Sequence, residues 1–172
     1  MKRKTNMGER MANIDNGNGV KDNAFDKVKD THKRITEQMW LLQNTLPYLN
    51  NEESYSNIRK VTDFFKNTIL RHFEWEEHDV FPIALAIGEI DIKQAVRDLQ
   101  QQHILIIGKF DILADIVVKH GFAFTDEKIK SKFIETSKEM VNAVLQHGHK
   151  EDEELYPFLR DKNINLNFNN HK

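Results

Sequence analysis

Apolar residues recur along this chain at alternating steps of three and four, and they do so in four separate stretches. The first puts Phe25, Val28, Ile35, Met39, Leu42 and Leu46 on one stripe. That is one face of an amphipathic helix, predicted over Asn23 to Leu46 and ended by Pro47. The second carries Ile58, Val61, Phe65, Ile69 and Val80 in the same rhythm and predicts a helix from Ser54 to Phe81. Pro82 is its expected boundary, because the residue before a proline is pushed out of the helical region. A third stripe runs through Ile92, Val96, Leu99, Ile106, Phe110, Leu113 and Val117 and stops near Gly121. The fourth runs through Ile129, Phe133, Thr136, Met140 and Val144 and stops before Pro157. Thr125 is its expected N-cap, with Asp126 and Glu127 suited to the positive end of the helix dipole. Long amphipathic helices joined by short polar turns predict an all-α protein, an antiparallel up-down four-helix bundle.

Polar residues interrupt these stripes at particular places. His32 stands on the first, His72 and Glu76 on the second, His103 on the third, and His147 and Glu151 on the fourth. The second and fourth insertions echo each other: in both, a histidine stands four residues before a glutamate and ten before a proline, so each pair shares one face of its helix. Burying six ionisable groups without partners would cost several kcal/mol apiece, on the order of the penalty for unpaired buried polar groups. They must satisfy one another, hold water or hold metal. At about 1.5 Å of rise per residue, an up-down arrangement brings the four histidines into adjacent layers.

The remaining histidines are placed differently. His78 and His149 point away from the inward face, His120 sits at a helix C-terminus where a cation complements the dipole, and His171 lies near the end of the chain. Glu74, Glu77, Asp152 and Glu154 are expected in solvent or behind the inward residues. Imidazoles that bind metal need an acceptor on their free nitrogen, and the sequence does not say which residue supplies it.

Composition narrows the chemistry. A chain of 172 residues with 39% hydrophobic content suits one domain with a sizeable core. The formal charge of -2 offers no basic excess to hold a phosphate backbone, so nucleic acid is not an expected partner. No stretch is long and apolar enough to suggest a membrane span, and cytoplasm is the default location. Cysteine is absent, which rules out disulfides, thiolate ligands and a thiol nucleophile. Residues 1–21 read as a flexible, Asn/Gly-rich leader, 22–160 as the helical domain, and 161–172 as an Asn-rich tail. Trp75 and Phe122 lie outside the core stripes, and with Ile92 at the edge of the third they leave the oligomeric state open.

Four imidazoles and two carboxylates are too many for a tetrahedral zinc site. They suit two first-row metals, each held by two histidines, with both glutamates able to bridge. Nitrogen and oxygen ligation without thiolate favours non-haem iron, with manganese or zinc as alternatives. A bridging oxide or hydroxide from solvent would complete such a centre and leave a coordination position for a small ligand. Ile69, Phe65, Ile106, Ile107, Phe110, Met140 and Val144 are core residues close enough to make the surroundings mostly apolar. Gly148, directly after His147, leaves room beside the site or at a helix contact.

The motifs His72-x-x-x-Glu76-Glu77-x-x-x-Phe81-Pro82 and His147-x-x-x-Glu151 leading into Leu155-Tyr156-Pro157, with the isolated His32 and His103, resemble the hemerythrin-like, HHE cation-binding family over about residues 22–160. The resemblance implies a hemerythrin-like bundle with a non-haem di-iron centre. The oxygen-carrying members differ: their third helix supplies two histidines, whereas Ile107 stands four residues after His103 here, and their fourth motif ends in an aspartate one position beyond Glu151. The more symmetric set looks like the di-iron domain of the iron-sulfur cluster repair proteins, although those usually carry an additional cysteine-containing domain. The expectation is a di-iron protein that binds or redox-processes dioxygen, nitric oxide or peroxide, in oxidative or nitrosative stress, with a redox protein as a compatible partner. The alternative is a non-catalytic iron or oxygen/nitric-oxide sensor, store or binder.

Overall fold

The computed structural model describes residues 24–121 and 124–166, and among them the secondary structure is entirely helical. Helix α1 (Ala24–Thr45) passes through a short 3-10 turn at Leu46–Tyr48. The second rod is a continuous stack of α2 (Glu52–Phe64), α3 (Leu70–Trp75) and α4 (Phe81–Ile87), joined by π-helical turns at Phe65–Ile69 and Glu76–Val80. Helix α5 (Ile90–His120) is the third rod. The fourth combines α6 (Glu127–Lys150), a π-helical turn at Glu151–Leu155 and α7 (Tyr156–Asp161). Contacts of α1 with α2 and α6, and of α5 with α4 and α6, close the four rods into an antiparallel bundle.

Local signals account for most of the helix ends. Asn51 caps α2, its side chain accepting from the Ser54 N–H at 2.8 Å. Asp126, not Thr125, caps α6, its carboxylate accepting from the N–H groups of Lys128 and Ile129. The negative charge that was expected only to complement the dipole therefore also satisfies the orphan donors. Between α4 and α5 the chain turns at Gly88, where a Cβ would stand 2.5 Å from the Ala84 carbonyl oxygen and 2.8 Å from Ile92 Cγ2.

The prolines do not end the second and fourth helices as their positions suggested. Helix continues through Pro82 to Ile87 and through Pro157 to Asp161. In each case a π turn comes first: the Phe81 N–H donates to the Glu76 carbonyl and the Tyr156 N–H to the Glu151 carbonyl, five residues back. A wide turn takes the carbonyls out of α register, so a following residue with no N–H and a bulky ring is tolerated. It also lets consecutive residues face inward: Val80 with Phe81, and Leu155 with Tyr156, are all buried.

The core is divided in two. One part gathers Ile35, Met39, Phe65, Ile69, Ile106, Phe110, Met140 and Val144, with the Phe65 and Phe110 rings stacked at 4.0 Å. The other gathers Phe25, Val28, Trp75, Phe81, Leu99, Leu155 and Leu159. Trp75 thus belongs to the core, and Ile92 is half-buried against it. Ile164 and Leu166, at the start of the Asn-rich segment, pack on the same part. Asn23, Phe122, His171, the 1–21 leader and residues 167–172 lie outside the described residues.

The capping assignment is checked by substitution. Asp126→Ala should lower unfolding free energy by about 1 kcal/mol in urea titrations, while Thr125→Ala should leave it close to unchanged.

Candidate metal centre

The waist between the two parts of the core is filled by the six polar residues of the helix stripes. His32, His72, Glu76, His103, His147 and Glu151 are all buried, the two glutamates completely. Their inward atoms converge in two groups, His32, His72, Glu76 and Glu151 in one and Glu76, His103, His147 and Glu151 in the other. Within each group the potential ligand atoms lie within 4.8 Å of one another.

Both glutamates belong to both groups, and each turns one oxygen to each. Glu76 Oε1 stands 3.1 Å from His72 Nε2 and Glu76 Oε2 stands 3.3 Å from His103 Nε2. Glu151 Oε2 stands 3.3 Å from His32 Nε2 and Glu151 Oε1 stands 3.3 Å from His147 Nε2. Two of the three π turns among the described residues begin at these glutamates, so a change of helical register occurs where the carboxylates enter the waist.

Outer contacts fix three of the imidazoles. His32 Nδ1–H donates to Asp152 and His103 Nδ1–H to Glu77, both at 2.9 Å, and His147 Nδ1–H donates to Gln102 Oε1 at 3.1 Å. A carboxylate behind an imidazole sets the tautomer and aims the Nε2 lone pair inward. Glu77 and Asp152 each directly follow the inward glutamate of their own helix and reach across to the lone histidine of a neighbouring one. The repeated acidic pair is visible in the sequence, but the histidines it meets are not, and Gln102 gave no signal at all. Aromatic rings complete the enclosure: Phe73 stacks on His103 at 3.9 Å, Phe81 on its other side at 5.4 Å, and Trp75 on His72 at 6.0 Å.

His78 and His149 are exposed as expected, and His78 Nδ1 pairs with the Glu74 carbonyl. His120 occupies the exposed last turn of α5.

Electrostatics shows what this arrangement requires. Burial opposes charge on His32, but Asp152 and Glu151 outweigh it and raise its pKa to about 10. Burial likewise opposes charge on His147, and Glu151 and Glu76 raise it to about 9. Burial lowers His72. For Glu76, burial favours the acid, and the imidazoles of His72, His103 and His147 more than reverse that, holding it well below the usual carboxylate range. Glu76 is thus held as the carboxylate in a layer where His32 and His147 favour the imidazolium form. His32 Nε2 and His72 Nε2 are 2.9 Å apart, and His103 Nε2 and His147 Nε2 are 3.0 Å apart, so each pair has room for one shared proton.

The residues fit a pair of metal ions. Glu76 Oε2 and both Glu151 oxygens are buried with no hydrogen-bond partner among the described residues. Cations would supply what those oxygens lack and replace the two protons between imidazoles whose lone pairs otherwise oppose. Residues 23–159 match the hemerythrin HHE cation binding domain. The chain belongs to that family. No curated protein and no solved structure matches it.

On one side the centre of this HHE domain meets a cleft of about 230 Å³, lined by His32, His72, His147 and Gly148 with Ile35, Ile69 and Val144 among the apolar walls. A Cβ on Gly148 would lie 4.0 Å from His32 Nδ1, so the missing side chain leaves room at this opening.

Proton displacement gives a pH dependence with a defined sign. Metal must replace protons on His32 and His147, so loading is weakened below their pKa values of about 10 and about 9. Affinity for a pair of divalent ions should climb with pH between about 6.5 and 8.5, by up to roughly tenfold per unit for each proton displaced. Proton release on metal addition in weak buffer checks it. In the metal-free protein the sign is opposite. The raised histidines contribute stability that is fully present below their unfolded value of 6.5 and is lost as pH rises through about 9 to 10.

Proposed function

We propose that this HHE domain holds two non-haem iron ions and binds or redox-processes a small molecule, dioxygen, nitric oxide or peroxide, as part of an oxidative or nitrosative stress response in the cytoplasm. The observation that carries this reading is the sharing of Glu76 and Glu151 between two histidine pairs beside an accessible cleft. His32 and His72 would hold one ion, His103 and His147 the other, and each glutamate would span both. The absence of thiolate and the mixed nitrogen and oxygen donors favour iron over zinc, with manganese a weaker competitor. When bound, the irons supply Lewis acidity and electrons.

What the chain itself contributes is geometry, charge and access. Asp152, Glu77 and Gln102 hold three imidazoles in their ligating tautomers. Phe73, Trp75 and Phe81 exclude water from the imidazole faces. The cleft is of a size for a few diatomic molecules or a peroxide, with Ile35, Ile69, Phe73, Val144 and Leu145 among its walls beside the imidazoles of His32, His72 and His147. The four-histidine, two-glutamate set supports the likeness to the di-iron domain of the iron-sulfur cluster repair proteins. No helix among the described residues is long and apolar enough to cross a membrane.

A non-catalytic sensor, store or binder is the second reading. It is favoured by the commitment of Asp152 to His32 and of the Tyr156 hydroxyl to Glu76, which leaves neither as a ready proton donor to a ligand in the cleft.

Anaerobic purification with metal quantification should give two irons per chain and spectral changes on adding oxygen, nitric oxide or peroxide. Fast peroxide consumption separates the redox reading from the sensor. His72→Ala and His147→Ala should each lower iron content, and wild-type iron in both would sink the site. The role of the opening is tested separately at Gly148. Gly148→Leu should slow nitric oxide binding in stopped-flow mixing while two irons are retained, and Gly148→Ala should behave nearly as wild type.

A further inference from the structure

The centre has an approximate two-fold symmetry that the chain breaks in two places. His32 corresponds to His103, His72 to His147, Glu76 to Glu151 and Asp152 to Glu77, and these equivalent residues make equivalent contacts. The first break is behind the histidines. Gln102, directly before His103, accepts from His147 Nδ1. Its counterpart directly before His32 is Thr31, whose hydroxyl donates instead to the Lys27 carbonyl at 2.9 Å. His72 Nδ1 is buried and has no hydrogen-bond partner among the described residues.

The second break is in front of the carboxylates. Tyr156 corresponds to Phe81, and only Tyr156 has a hydroxyl. It donates to Glu76 Oε1 at 2.6 Å, across to the other rod. That oxygen is the one facing His72. Phe81 offers no such bond to Glu151, whose two oxygens have no hydrogen-bond partner among the described residues. A hydrogen bond donated to a carboxylate oxygen draws charge from it and makes it a weaker metal donor. An imidazole with no acceptor on its far nitrogen is both less basic and less firmly oriented.

Both breaks fall on the same corner, and the cleft opens beside it, touching both His32 and His72 but only His147 of the other pair. We propose that Tyr156 is a positioning residue for Glu76 that, together with Thr31, makes the His32–His72 half of the centre the weaker metal site, so that the two ions load in order, His103–His147 first. The inference rests on the reading of the centre as a two-metal site. Tyr156 acts through Glu76 while its ring stays packed on Phe25 at 6.2 Å and near His32 at 5.8 Å.

Cobalt(II) titration of the metal-free protein, read by visible absorption and calorimetry, tests it. The wild type should bind two cobalt ions in two steps. Repulsion between the ions would separate the steps in any dinuclear site, so the variants decide. Tyr156→Phe keeps the ring and removes only the hydroxyl; it should tighten the weaker step by about tenfold, the size but not the usual sign of an outer-contact change, and leave the tighter step in place. Thr31→Gln, which supplies the missing acceptor, should move the weaker step in the same direction. Gln102→Thr should weaken the tighter step. Circular dichroism confirms that each variant is folded. Unchanged step ratios in both Tyr156→Phe and Thr31→Gln, or a shift of the tighter step by Tyr156→Phe, would overturn the inference while leaving the two-metal reading intact. Binding of fewer than two cobalt ions by the wild type would overturn both.

Discussion

Everything in this bundle is arranged around the need to balance two buried carboxylates at its waist. Glu76 and Glu151 are completely enclosed, and an isolated buried carboxylate is too costly for a domain of ordinary stability. Four imidazoles surround them, each able to carry a proton or give a lone pair to a cation. Two protons or two metal ions can occupy that layer, and the choice is a competition. The apolar core cannot close across it, so it is split into two parts that each pack tightly and hold the polar layer between them. The cleft lies where that layer reaches the side of the bundle.

The division explains why so much was legible in the sequence. A stripe at helical spacing is set by the boundary between core and solvent, and an ionisable residue on it declares itself because burial is costly. His32, His72, Glu76, His103, His147 and Glu151 all fell on such stripes, and the structure brings all six together. What was not legible depends on how helices face one another. Glu77 and Asp152 look like ordinary surface acids along their own helices; only the packing of the rods turns them toward His103 and His32. Gln102 is the same case without even an acidic signature. The cap at Asp126 was misplaced by one residue because Thr125, Asp126 and the following acid all satisfy the local pattern.

The prolines show a different kind of limit. Proline predicts a helix end because an α-helix needs the N–H it lacks and has no space for its ring. Neither argument holds immediately after a π turn. The sequence did contain a sign: Val80-Phe81 and Leu155-Tyr156 are adjacent large residues directly before the two prolines, and all four are buried. The extra residue in the turn lets the glutamate and the aromatic five positions later enter the interior from one rod. Without it, Glu76 and Phe81, or Glu151 and Tyr156, could not both border the centre.

That device also fixes where symmetry can be broken. Because the two π turns present Phe81 and Tyr156 to equivalent places, one oxygen atom on one ring is enough to distinguish the carboxylates. The hydroxyl reaches the glutamate of the opposite rod, so its effect is delivered to the half built by α1 and the second rod and not to the half its own rod helps to build. Thr31 acts in the same direction by turning its hydroxyl to its own helix. A nearly duplicated set of inward residues therefore need not give two equal halves: on the two-metal reading, those six residues would set the number of ions, and the residues one contact further out would set how differently the two are held.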